Sequence, residues 1–126
     1  MNIKWINKEK TSNAITIYNN NITLSKQAAL LFEDAYGILV GVEETKNQIV
    51  LKKVSIEDVN KKIVDKEDMY TLTMKPSFGR INSKKLVSEL ENIFGFNFLI
   101  QASYKFNAKW NNGLKMLIVD VKESDE

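Results

Sequence analysis

The sequence predicts an α+β domain in which two β-β-α-β-β units share one β-rich core. Three observations carry that expectation. Short stretches alternate apolar and polar residues with the period of half-buried strands. Two apolar stripes at helical spacing each follow a serine and stop at a glycine. The pattern of the first half also returns when the sequence is shifted by 58 residues. The 126 residues are read as a single domain, 1–126, with a first unit over about 13–54, a linker over 55–68 and a second unit over about 69–121.

In the first unit, Ile15 and Ile17 alternate with Thr16 and Tyr18, and Ile22 and Leu24 flank Thr23. This reads as two strands around Asn19, Asn20 and Asn21, because asparagine tolerates the left-handed backbone of a tight turn. Ser25 is an N-cap for a helix over 26–35, in which Ala28, Leu31, Phe32 and Ala35 form one stripe. Gly37 is the stop, and 38–42 and 48–54 read as a hairpin. The charged stretch 55–68 reads as a solvated connector holding a short helix around Ile56, Val59 and Ile63.

The second unit opens with a strand over 70–74, limited by Pro76. Ser83 caps a helix over 84–94 whose stripe is Leu86, Leu90, Ile93 and Phe94, and Gly95 ends it. Three strands are expected after it, over 96–100, 102–110 and 114–121, the last two joined by a tight Asn112-Gly113 turn. In the repeat alignment Ser25 and Lys26 fall on Ser83 and Lys84, Phe32 on Leu90, and Tyr36 and Gly37 on Phe94 and Gly95. Strand 38–42 falls on 96–100, and a gap of nine lays 49–54 over 116–121. A unit of roughly forty residues buries too little apolar surface to fold alone, so the two are expected to pack together.

Composition removes whole classes of chemistry. With no histidine and no cysteine there is no disulfide, thiolate nucleophile, Cys/His zinc site or imidazole base. The adjacent acidic pairs Glu33-Asp34, Glu43-Glu44, Glu57-Asp58 and Glu67-Asp68 diverge in either a strand or a helix, so none faces its partner for acid–base work. The expectation is no enzyme, no cofactor and no metal. No segment approaches the ~20 apolar residues of a membrane span, and positions 1–10 hold no leader-like run, so the cytoplasm is the expected location. The formal charge of +2 is too small by itself to imply a polyanionic partner.

The segment Phe78-Gly79-Arg80-Ile81-Asn82-Ser83-Lys84-Lys85-Leu86, with Asn21-Ile22-Thr23-Leu24-Ser25-Lys26 at the same place in the first unit, resembles the entry into the short helix of the AbrB and MraZ swapped-hairpin transcription factors. Two such units in tandem are similar to MraZ. The chain departs from the family in having serine where proline is usual, the Gly-Arg pair in one unit only, and no arginine later in either helix. The resemblance implies a DNA-binding regulator, homodimeric, with double-stranded DNA as its partner.

The residues expected at the nucleic acid are Arg80, Lys84, Lys85, Lys26, Lys52 and Lys53. Six phosphate contacts would make log K fall with log[salt] at a slope of about −5. A second candidate is the stripe Tyr104, Phe106, Ala108 and Trp110, interleaved with Lys105 and Lys109, which reads either as a stacking platform for single strands or as core or a dimer face. Met116 and Ile118 on the opposite face hint at burial against a partner. The competing functional reading is a homo-oligomeric protein-interaction or structural domain with no nucleic-acid affinity.

Overall fold

In a computed structural model of the chain, residues 2–3 and 13–124 are described, with side chains described up to 121. The stretch 1–10, read above for a leader, lies almost wholly outside the described residues.

Eight strands alternate with three short helices. They are β1 (Asn13–Tyr18), β2 (Asn21–Ser25), α1 (Lys26–Leu30), β3 (Gly37–Glu43), β4 (Gln48–Val54), α2 (Ile56–Asn60), β5 (Thr73–Met74), β6 (Phe78–Asn82), α3 (Lys84–Phe94), β7 (Ser103–Asn111) and β8 (Met116–Ser124). All strands join one antiparallel sheet in the order β3-β4-β8-β7-β1-β2-β6-β5. The sheet curls until its ends meet. Just before β5, Tyr70 exchanges both backbone hydrogen bonds with Ile38 of β3, at 2.9 and 2.7 Å. That single bridge joins the two edges, and edges without partners are where sheets aggregate.

The alternation seen in the sequence sets which side chains face inward. Ile15, Ile17, Ile22, Leu24, Ile81 and Phe106 point into the curl and are buried, while Thr16, Thr23 and Arg80 point out. Alpha-1 and α3 add Ala28, Ala29, Leu86, Val87 and Leu90 to the same core. Both helices start on a serine cap: Ser25 Oγ accepts from the Ala28 amide at 3.4 Å and Ser83 Oγ from the Leu86 amide at 3.1 Å. Gly95 closes α3 with φ +75°, a conformation glycine adopts without a Cβ clash. In the linker, Ser55 and Asp58 form a reciprocal capping box that starts α2.

Five expectations are corrected. The first helix ends at Leu30, and 31–35 continues in tighter turns with i→i−3 hydrogen bonds at Leu31, Phe32, Glu33 and Ala35. That winding delivers Phe32 to the core, edge-on to Trp110 at 5.6 Å. The strand expected at 96–100 is absent: the segment is a turn whose aromatic rings plug one end of the curl. The strand read over 70–74 shrinks to Thr73–Met74 plus the Tyr70 bridge. The last hairpin turn spans four residues, 112–115, with the left-handed residue at Lys115 (φ 54°) in place of Gly113. On α3, Val87 is buried beside Leu86 and Leu90, and at the C-terminal end Phe94 packs against the core while Ile93 is exposed.

Candidate nucleic-acid interface

The site is built outward from the β2–β6 pair. These strands run antiparallel with Asn21 opposite Asn82, Thr23 opposite Arg80 and Ser25 opposite Phe78. Each leads into a helix at opposite ends of the pair, so Lys26 follows Ser25 at one end and Lys84 and Lys85 follow Asn82 and Ser83 at the other. Arg80 stands between them, half-buried, with its guanidinium 4.8 Å over the Phe78 ring and Nε donating to Thr23 Oγ1 at 3.4 Å. Lys26, Lys84 and Lys85 are exposed. Four of the six expected cations therefore lie along one seam.

Lys52 and Lys53 do not join them. They sit on β4, which pairs with β3 and β8 on the far side of the curled sheet. Lys52 Nζ donates to the Leu114 carbonyl at 3.0 Å, and Lys53 forms an ion pair with Asp34. That lysine's hydrogen bond, followed by the amide of Asp34 itself, holds the Asp34 carboxyl below its ordinary value of 3.8. With Lys115, Ser55 and Asp58 these two lysines line a separate shallow hollow.

Sheet order adds residues that linear reading missed. Across neighbouring strands, Lys105 of β7 pairs with Thr16 of β1, Thr16 with Thr23, Thr23 with Arg80, and Arg80 with Thr73 of β5. This is one outward row, polar throughout and cationic at Lys105 and Arg80. Lys75 and Lys109 belong to the same wall, on β5's turn and on β7. The five adjacent strands β5, β6, β2, β1 and β7 contain no aspartate or glutamate. The acids lie in 33–34, 43–44, the linker, the second half of α3, β8 and the terminal stretches. A net charge of +2 thus hides a strongly segregated surface. No pattern in the linear sequence announces this, since the strands that form the wall come from both halves of the chain.

The aromatic stripe of β7 faces inward. Phe106 and Ala108 are buried and Tyr104 and Trp110 are half-buried, so the stripe is core and its rings are not a platform for bases. Among the described residues no group of three or more acidic side chains could hold a metal ion, and no helix is long and apolar enough to cross a membrane.

No protein-family profile matches the chain, and neither curated proteins nor solved structures provide a match.

Proposed function

We propose that the chain is a DNA-binding transcriptional regulator of the swapped-hairpin type, acting in the cytoplasm and without enzymatic activity, and that the wall of β5, β6, β2, β1 and β7 is the surface that meets the duplex. The observation that carries this reading is the absence of any acid on five adjacent strands that hold Lys75, Arg80, Lys105 and Lys109, with Lys26, Lys84 and Lys85 at the ends of the β2–β6 seam. A single-sign surface attracts and orients a polyanion at long range. Lys105 and Arg80 are three strand spacings apart, about 14 Å, so one face of a duplex can meet both.

The repeat belongs to the same proposal, and local geometry supports it. Beta-1 and β2 join through two residues, Asn19 and Asn20; between β5 and β6 the Lys75 amide donates to the Phe78 carbonyl at 2.8 Å and closes a turn over Pro76 and Ser77, and both hairpins fit an offset of 57. The hairpins β3–β4 and β7–β8 each turn through four residues and end in a left-handed residue, Asn47 or Lys115 (both φ 54°), an offset of 68. Strand order supports it too. When the two units exchange places, β2–β6 and β4–β8 each pair equivalent strands, and the β1–β7 pairing corresponds to the Ile38–Tyr70 bridge. The hairpin β1–β2 lies between β7 and β6 of the other unit, an interleaving of hairpins that agrees with the swapped-hairpin resemblance.

A homodimer is part of the proposal. On the outer side of β3, β4 and β8, Leu39, Val50, Met116 and Ile118 are half-buried with no covering element among the described residues, the observation that also favours the second reading, a homo-oligomeric interaction domain with no nucleic-acid affinity.

Fluorescence anisotropy of AT-rich and mixed duplexes at two salt concentrations separates the two readings. With phosphate contacts from Arg80, Lys84, Lys85 and Lys26, log K falls with log[salt] at a slope of about −4. Submicromolar binding lost in Arg80→Ala/Lys84→Ala supports the regulator; no binding at ~100 μM in low salt, weaker than ordinary nonspecific affinity, overturns it.

A further inference from the structure

Leu99 is 99% exposed and Ile100 83%, the highest values among the large apolar side chains described. They occupy the tip of the segment that follows Gly95, where the second unit is ten residues longer than the first: the offset between units is 58 at the helices and 68 at the following hairpins.

The tip is held rather than loose. Asn97 anchors it through both backbone groups and its side chain. Its amide donates to Tyr104 Oη at 2.8 Å, and its carbonyl accepts from Tyr104 Oη at 3.2 Å and from the Ile100 and Gln101 amides at 3.1 and 3.0 Å. Asn97 Oδ1 accepts from the Leu99 amide at 3.1 Å. Behind it, the Tyr104 ring stacks on Phe96 at 4.6 Å and meets Phe98 edge-on at 5.5 Å. Two aliphatic side chains are thus presented to solvent on a braced support, so little ordering is left to be lost when something covers them.

The tip also has a definite place on the basic wall. It leads directly into Ser103, which shares a row with Tyr18, Asn21 and Asn82. Lys84 and Lys85 follow Asn82 on the same rim, and the next outward row holds Lys105 and Arg80. We propose that Leu99 and Ile100 form a wedge that enters double-stranded DNA between two base pairs while the cations beside them hold the flanking phosphates. The inference rests on the DNA-binding reading above. Charge selects the occupant: the wall that the tip extends is cationic and free of acid, and aliphatic wedges in DNA-bending proteins unstack a base step in this way. An anionic membrane shares the charge but gains little apolar area from one Leu-Ile pair, and the vesicle measurement below tests it.

The test uses the full chain with a duplex carrying 2-aminopurine at a central TA step and a donor–acceptor dye pair at its ends. Wild type is expected to raise 2-aminopurine fluorescence and shorten the end-to-end distance. Leu99→Ser/Ile100→Ser, two changes at fully solvated positions, is expected to keep the thermal melt, bind about tenfold more weakly (apolar transfer offset by unstacking) and lose both signals. Binding by wild type with neither signal, or with signals unchanged in the double variant, overturns the wedge and leaves the DNA reading intact. Absence of wild-type binding overturns both. Uptake of the wild type by phosphatidylserine vesicles, or a change in sedimentation of the DNA-free protein on substitution, with no change in the duplex signals, assigns the tip to a membrane or a second copy and overturns the wedge.

Discussion

Arg80 and Thr23 face each other across the β2–β6 pair, and the threonine hydroxyl holds one edge of a guanidinium whose face lies on Phe78. The arginine is therefore aimed outward before any ligand arrives. Lysine at this position keeps the charge but loses the planar stack and the Nε–H bond. Arg80→Lys is expected to lower the unfolding free energy by about 0.5–1 kcal/mol, through loss of the stack on Phe78, and to weaken duplex binding at every salt concentration. Arg80→Ala removes one phosphate contact and lowers the salt slope by about 1.

Gly79 points into the curl, and a Cβ there would lie 2.8 Å from Ala29 Cβ and 3.1 Å from the Leu72 methyls. Gly79→Ala is expected to destabilise by about 1–3 kcal/mol through overpacking. Gly41 has nothing within 4 Å of such an atom, so Gly41→Ala is expected to stabilise by about 0.4–1 kcal/mol by narrowing the unfolded ensemble. Opposite shifts of the two urea midpoints are the expected readout; equal shifts would contradict this packing.

Lys115 holds φ 54° at the end of the β7–β8 turn. Its Cβ is strained there, whereas Asn47 at the matching place in β3–β4 belongs to a residue type that tolerates the left-handed region. Lys115→Gly is expected to raise stability by about 0.5–1 kcal/mol and Asn47→Gly by less, as measured by thermal melts.

Asp34 ionises more readily in the folded chain than in the unfolded one because Lys53 bonds its carboxylate. A depressed folded value places its contribution above the unfolded value and removes it as pH falls through the folded one, so the effect appears below the ordinary 3.8. An NMR titration of the Asp34 carboxyl is expected to move up toward 3.8 in Lys53→Met; an unmoved curve would exclude the ion pair as the cause.

Strands β1, β2, β3 and β4, both serine caps and the Gly95 stop were legible because each depends on neighbours within a few residues. The run 96–100 was not: a continuous apolar stretch looks alike whether it forms a strand or plugs the end of a curled sheet, and only the Phe96 and Tyr104 contact distinguishes them. The acid-free wall is illegible in the sequence for another reason. Lys105 and Arg80 are neighbours only because β1 and β2 lie between β7 and β6, a long-range arrangement that strand periodicity does not encode. Lys52 and Lys53 share the charge of Arg80 but not its place, since the sheet puts them on the opposite side.

Phe106 is the largest fully buried side chain and meets the Phe96 ring at 5.8 Å. Phe106→Ala is expected to cost about 3–5 kcal/mol, read as a lower urea midpoint.

During synthesis, β1–β2 and β3–β4 leave the ribosome before any strand that flanks them exists. Beta-2 waits for β6, β1 for β7 and β4 for β8, all encoded after residue 77. At about 5–20 residues per second, completing positions 55–124 takes roughly 4–14 s, during which two hairpins with apolar inner faces stand unpaired. The pace of translation through the second half thus sets how long the apolar inner faces of the first half stay exposed.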